Sequence, residues 1–185
     1  MWGEVMEAHV VFDCQPVLTG RFVDVRPLRS DDCDDLYAVA ADPLIWEQHP
    51  VTTRHERPEF LRFFGESLAS GGALAVIDAT TRRLIGSSRF HGRDEGRREI
   101  EIGWTFLARS HWGGTCNREL KQLMLAHAFR FVDRVVFLVG VENVRSQRAV
   151  ERIEAVRVGE RPDAGGRASY RYEITASAFA QRWRS

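Results

Sequence analysis

Residues 99–121 read EIEIGWTFLARSHWGGTCNRELK, and the order of features in this stretch decides the fold. It opens as a strand in which Ile100, Ile102, Trp104 and Phe106 alternate with Glu99, Glu101, Gly103 and Thr105. The apolar set is expected beneath the helix that follows. The other set faces the opposite side, where a substrate has room. The turn from His111 to Asn117 carries Gly113 and Gly114 and leads into a helix expected over 115–131. Leu120, Leu123, Met124, His127, Ala128 and Phe131 form one stripe of that helix. The short β-branched run at 135–139 then reads as a buried strand. A strand, a helix and a strand in succession imply a right-handed crossover, so the two strands should run parallel.

Upstream, LTGRFVDVRPL (18–28) alternates polar and apolar residues and reads as one strand. Ser30 is placed to cap a helix with the acidic first turn DDCDD, followed by Leu36, Tyr37, Val39 and Ala40. After a Pro- and His-containing loop over 43–58, Pro58 suits the first turn of a second helix carrying Phe60, Leu61, Phe63, Phe64 and Leu68. Gly71-Gly72 ends it. Strands over 73–78, 83–91 and 98–107, joined by polar turns, form an antiparallel meander. A helix over 145–153 and strands near 156–161 and 169–175 complete the chain. The expected fold is α/β (α+β), a mixed, mostly antiparallel sheet of about seven strands with four or five helices. One domain over 1–185 is expected, with residues 1–15 an N-terminal extension or an extra strand.

Composition narrows the function classes. The 185 residues are 44% apolar and 28% charged, an ordinary globular balance. Acidic and basic residues number 26 each, so no overall basic field points to nucleic acid or an anionic membrane as partner. Lys121 is the only lysine, a bias to which no function attaches. The start, MWGEVMEAHV, lacks the basic-then-apolar pattern of a secretory leader, and the run at 135–139 is far below the roughly 20 residues that span a bilayer. Cys14, Cys33 and Cys116 are odd in number and widely spaced, which argues against a disulfide framework or a zinc knuckle. A cytoplasmic protein without a metal is expected.

Two segments point to chemistry. Glycines before a helix let backbone approach a ligand, and the free N–H groups of a helix start attract anions, so 111–117 is a candidate diphosphate cradle. Standing alone, such a Gly-Gly pair is more often just an ordinary turn. No Gly-Lys-Ser/Thr follows, and the glycine spacing is not that of a dinucleotide fingerprint. In the run GVENVRSQRA at 140–149, Asn143 is a good N-cap with Ser146 three residues on, which by itself reads as capping.

Together, Glu-Ile-Gly-Trp (101–104), Trp112-Gly113 and Asn143-x-x-Ser146-x-Arg148-Ala149 closely resemble the GNAT superfamily of acyl-CoA-dependent N-acyltransferases. Within it they look like the branch of ribosomal-protein N-terminal acetyltransferases, as does the opening LTGRFVDVRPLRSDD; the resemblance covers about 18–175. It implies a central parallel pair of strands that splay apart to admit the pantetheine arm of acetyl-CoA, with Phe106 and Leu107 as contacts. Trp112 and backbone N–H groups of Gly113, Gly114, Thr115, Cys116 and Asn117 would serve the coenzyme diphosphate. Asn143 would bind near the thioester, and Ser146 would bind there and protonate the leaving thiolate. The superfamily's phosphate loop usually reads Arg/Gln-x-x-Gly-x-Gly/Ala; here Trp112, Thr115 and Asn117 occupy the named positions. Thr115 is harmless to a backbone cradle only if its φ stays negative. Glu154 sits where many relatives carry glycine after a helix.

An amine attacks a thioester only when neutral, and amine pKa values run from ~8 for an α-amine to ~10.4 for lysine, so a proton acceptor is required. Glu101 is the candidate base and Glu99 the runner-up; either also reads as a solvated strand carboxylate. A backbone N–H of the splayed strand would steady the thioester oxygen. Cys116 reads as a small loop residue and His127 as a buried, hydrogen-bonded core residue. His49 and His55 read first as ordinary surface loop positions, with substrate contact as the alternative because the resemblance implies that their loop lines the acceptor cleft; His91 is open between surface and site. Trp46, Phe60, Phe63 and Phe64 read first as core packing. The implied activity is direct acetyl transfer to a primary amine, on a peptide N-terminus or a small molecule, by a homodimer. The alternative is an acyl-CoA-binding regulatory module with little or no turnover, which Thr115 and Glu154 would favour.

Overall fold

The computed structural model describes residues 11–183. Its centre is one sheet of eight strands in the order β1-β2-β3-β4-β5-β6-β8-β7. These are β1 (Leu18–Thr19), β2 (Val23–Pro27), β3 (Ala73–Asp78), β4 (Leu84–Asp94), β5 (Glu99–Leu107), β6 (Arg134–Gly140), β7 (Val156–Glu160) and β8 (Ser169–Thr175). The helices are α1 (Cys33–Ala40), α2 (Arg57–Ala69), α3 (Thr115–Ala128), α4 (Val144–Glu151) and α5 (Ala176–Trp183). From β2 to β5 the strands form the expected antiparallel meander, and β5 and β6 run parallel across α3.

Apolar residues on alternate positions build a core on each face of the sheet. Leu74 and Val76 of β3 join Leu120, Met124, Leu125 and Ala128 of α3 on one side. Ala73, Ala75 and Ile77 join Leu36 of α1 and Phe60, Phe63 and Phe64 of α2 on the other.

Several local expectations are corrected. The segment 18–28 is two strands, because the chain folds back at Gly20–Phe22. The Glu119 carboxylate of α3 holds that turn, accepting from the N–H groups of Arg21 (2.8 Å), Phe22 (2.6 Å) and Val23 (2.8 Å). The split raises the strand count to eight. Ser30 does not cap α1; it begins a single 3-10 turn, and Asp32 accepts from the Arg29 N–H at 2.8 Å while pairing with both arms of Arg26. α3 ends at Ala128, short of Phe131. Helix α5 follows β8 directly and packs Phe179 on Phe129 at 5.2 Å. Of the expected extension over 1–15, the first ten residues lie outside the described residues. Residues 11–15 are irregular, and Phe12 is buried against Phe90 and Phe131.

The correction that matters for the site lies in β5. Arg89 of β4 pairs with Gly103 and Ser87 with Phe106, so Trp104 and Thr105 together oppose Ser88. Trp104 has φ +50°, a left-handed conformation rare for a bulky residue. This is a β-bulge, and it resets the alternation. Ile100 and Ile102 pack under α3 as expected, but Trp104 and Phe106 pack on the α2 side, and Thr105 turns toward α3.

Candidate active site

β5 and β6 pair only at Glu99/Arg134, Ile100/Val135 and Glu101/Val136. Beyond that, β6 stays paired with β8 through Gly140, while β5 follows β4 away from it. The facing edges of Ile102–Leu107 and Phe137–Gly140 therefore diverge into an open wedge. The bulge at Trp104 sits where they part and increases the local bend of β5.

The start of α3 closes the wide end. Gly113 has φ +67°, a value suited to glycine, and turns the chain into the helix. Gly114 is the N-cap and provides no side-chain cap, so the first N–H groups of α3 are left for water or a ligand. Thr115 is the first helical residue and is absent from the positive-φ positions, so the lost glycine leaves the backbone donors in place. Trp112 is anchored by its Nε1, which donates to the Leu107 carbonyl at 2.9 Å, and the Arg145 guanidinium stacks over its ring at 4.2 Å. Across the wedge, Asn143 caps α4 by accepting from the Ser146 N–H at 3.1 Å. Among the described residues no hydrogen bond engages the Ser146 hydroxyl.

Two connected hollows occupy this wedge. The first is bordered by Phe106, Leu107, Trp112, Gly113, Asn117, Asn143, Ser146, Arg145 and Arg152. Gly114, Thr115 and Cys116 stand at the helix start and are not on its wall. The second runs between the strands, past Gly103, Trp104, Thr105, Lys121 and Phe137, to Trp46, His49, Arg54 and Asp163. Asn117, Asn143 and Ser146 border both hollows. Ten of the eleven expected site residues thus gather along one wedge and its closing turn.

Glu101, the eleventh, lies just behind the wall. It is 8% exposed, so the solvated reading is corrected. A Cβ on Gly103 would come within 3.1 Å of Glu101 Oε1; the missing side chain at 103, a wall position, leaves the carboxylate next to the hollow. Burial raises this carboxyl to about 7, with Arg161 3.9 Å away opposing the shift. Glu99 is also buried but committed: Arg171 holds it at 2.8 Å, with Arg134 at 3.8 Å. That makes Glu101 the better proton acceptor of the pair.

Other expectations divide. His127 is buried and hydrogen-bonded as expected, with Nε2 2.7 Å from the Asp13 carbonyl. Phe60, Phe63 and Phe64 are core, whereas Trp46 is buried and also borders both hollows. His55 sits off the hollows against the Thr52 carbonyl at 2.9 Å, and exposed His91 packs edge-on to Trp104. His49 is half-buried rather than fully exposed: it borders both hollows, and burial, then the Arg54 charge, hold its imidazole near 3. It is neutral at pH 7.

No motif in the sequence assigns Lys121 a role. It is 5% exposed on the wedge floor, donates to Thr105 Oγ1 at 2.6 Å, and lies 5.6 Å over the Phe137 ring. Burial lowers its amine to about 7. The signal was in the sequence: the sole lysine stands four residues from Asn117 and Leu125, on the buried side of α3.

Residues 23–156 match the family model described as "Acetyltransferase (GNAT) domain". No curated protein matches the chain. Among solved structures, the chain is similar to a GCN5-related N-acetyltransferase from Brucella melitensis, at 21% identity and TM-score 0.78, over 92% of this chain and 84% of that one. It is similar to a GNAT-family acetyltransferase from Bacillus anthracis, at 20% identity and TM-score 0.70, over 86% and 98%. It is also similar to Mycobacterium smegmatis RimJ in complex with CoA-disulfide, at 19% identity and TM-score 0.66, over 84% and 82%. At these identities the three structures speak to the fold.

Proposed function

The chain belongs to the GNAT acetyltransferase family, acetyl-CoA-dependent acyltransferases, and from that premise we propose that it acetylates a primary amine by direct attack on the thioester, working as one domain over 1–185. The observation that carries this reading is the wedge: two parallel strands that stop pairing after Glu101/Val136, with an uncapped helix start at the open end.

The residues present fit acetyl-CoA. The N–H groups of Gly113 to Asn117, at the uncapped start of α3, would hold the diphosphate, with Arg145 and Arg152 adding positive charge at the rim of the hollow. The open edge of β5 at Phe106 and Leu107 offers backbone hydrogen bonds to the pantetheine amides. Bound there, the coenzyme supplies an activated acyl carbonyl. Asn143 and Ser146 border both hollows, at the level where the thioester would lie.

Glu101 accepts the proton of the incoming ammonium. With a carboxyl near 7 it is about half ionised at neutral pH, which suits a base that must take and release a proton in each cycle. The space left by Gly103 has room for a water to relay that proton. Ser146 donates its hydroxyl proton to the departing thiolate and recovers one from the nitrogen of the collapsing tetrahedral adduct, which must lose a proton to become the amide. No covalent enzyme intermediate is required, which leaves Cys116 outside the chemistry. Thr115 keeps its backbone donor, so nothing at the cradle favours a module without turnover. A homodimer in the cytoplasm belongs to the same proposal.

Acetyl-dependent thiol release across a library of peptides and small amines tests the reading. Release is expected with at least one amine class, reduced tenfold or more in Ser146→Ala and in Glu101→Gln. Both variants retaining full kcat would remove these two roles. Failure of every amine would remove the activity.

A further inference from the structure

Arg54 stands on the wall of the same hollow as Gly103 and Trp104, on the side away from α3. Its guanidinium lies 4.5 Å over the Phe63 ring and 5.6 Å over that of Trp46, and its Nη1 is 3.3 Å from His49 Nε2. Among the described residues no carboxylate comes within 4.0 Å of it. A second cation sits behind the wall: Arg89, 6% exposed, stacks on Trp104 at 4.4 Å and donates to Ser67 Oγ at 2.5 Å, while its Nε finds no partner.

The nearby acids, Glu66 and Glu101 among them, favour these charges from a distance, but among the described residues none pairs with Arg54. Asp163, also on the wall, spends its oxygens on the N–H groups of Gly165 (2.8 Å) and Arg167 (2.9 Å) and on the Arg167 side chain (3.3 Å). Glu66 pairs with Arg62 at 3.4 Å. His49 is neutral. Burial, with Arg167 next, lowers Arg54 to about 10, so it stays charged at pH 7. A partly desolvated guanidinium is tolerated on aromatic faces, but its planar fork of donors matches a carboxylate and has none.

We infer that the acceptor amine carries a carboxylate a few bonds from its reacting nitrogen, and that Arg54 receives that carboxylate while the amine faces Glu101. This rests on the acetyl transfer proposed above and narrows its acceptor. A free amino acid and a peptide with an acidic residue at its amino end share this chemistry. A diamine does not, since it brings a second positive charge to a wall that already carries the unpaired Arg54.

The test uses the full chain saturated with acetyl-CoA and follows thiol release with matched acceptors: alanine against alaninamide, C-terminally amidated and otherwise carboxylate-free peptides beginning with Glu against the same peptides beginning with Gln, and 1,4-diaminobutane. A carboxylate advantage of tenfold or more in kcat/KM is expected, expressed in KM, with the diamine below all carboxylates. Which matched pair shows it identifies the source. In Arg54→Gln the carboxylate-to-carboxamide ratio should collapse toward one, and Arg54→Lys should restore part of it. The same acceptors are titrated by calorimetry into the CoA-loaded protein, so that preference is read even without turnover. Equal use or binding of carboxylate and carboxamide, or an unchanged ratio in Arg54→Gln, overturns the inference and leaves acetyl transfer standing. Absence of thiol release alongside preferential carboxylate binding overturns acetyl transfer and keeps the Arg54 site.

Discussion

Replacing Lys121 by Met should change how stability depends on pH. The amine is buried on the wedge floor with one hydrogen-bond acceptor, Thr105 Oγ1, and no carboxylate within 4.0 Å among the described residues. Burial lowers it to about 7 from an ordinary 10.5. The folded state therefore releases this proton near pH 7, while the unfolded chain holds it to about pH 10.5. Between those values the unfolded state binds more protons, so the unfolding free energy rises with pH at up to about 1.4 kcal/mol per pH unit. From pH 7.5 to 9.0 this amounts to about 2 kcal/mol. Across the whole window the limit is about 5 kcal/mol, and relaxation around the amine will reduce it. Met keeps the length of the chain without its charge, so the Lys121-dependent rise should vanish. Urea denaturation of both proteins at half-unit steps from pH 6.5 to 9.5 measures this. Lys121→Met should be the more stable near pH 7, with the gap narrowing by about 2 kcal/mol by pH 9. Parallel stability curves would show that Lys121 does not titrate in this window and would refute the burial argument.

Glu101 gives an opposite, separable signature. Its folded value near 7 predicts that kcat/KM falls tenfold per unit as pH drops below about 7, and that Glu101→Gln abolishes this inflection; an inflection that persists in the variant assigns it to another group. The same shift makes the folded state bind the extra proton between the ordinary carboxyl value and 7, so its contribution to stability falls as pH rises through that range. Glu154 sits just beyond α4 with φ +67°, so Glu154→Gly should raise stability by about 1 kcal/mol in chemical denaturation, less whatever its ion pair with Arg182 contributes; a loss would show that pair to outweigh the backbone cost. Glu119→Ala removes the acceptor shared by three N–H groups at the β1–β2 turn and should cost about 2 kcal/mol, so an unchanged denaturation midpoint would mean water replaces it without penalty.

The framework of the wedge was legible in the sequence for a physical reason. Strand β5, helix α3 and strand β6 each announce themselves by period and length, and handedness makes the pair parallel. The resemblance then supplied the divergence. What stayed hidden depends on contacts between distant residues. The bulge at Trp104 places a bulky residue at positive φ, which no local preference suggests, and only the pairing of β4 with Gly103 and Phe106 reveals it. Strict alternation therefore put Trp104 and Phe106 on the wrong face. The break at Gly20–Phe22 is held by a carboxylate almost a hundred residues away. The resemblance placed the loop over 43–58 at the acceptor cleft, but nothing in the sequence singled out Arg54; the loop folds over the wedge and Trp46 anchors it, its Nε1 donating to the Ala40 carbonyl at 2.7 Å. Gly103 looked like half of a motif, and its function as an opening beside Glu101 needed coordinates.

The account stands on the wedge between β5 and β6 as the seat of the thioester. Ala149, on the first helix beyond β6, borders both hollows, and a phenyl ring there would fill the passage between them. Calorimetric titration of acetyl-CoA into wild type and Ala149→Phe, with circular dichroism confirming the fold of each, is the most direct measurement. Saturable binding of one coenzyme per chain, weakened tenfold or more in the variant, is the predicted result. Equal affinity in the two proteins would place the coenzyme elsewhere and contradict the account.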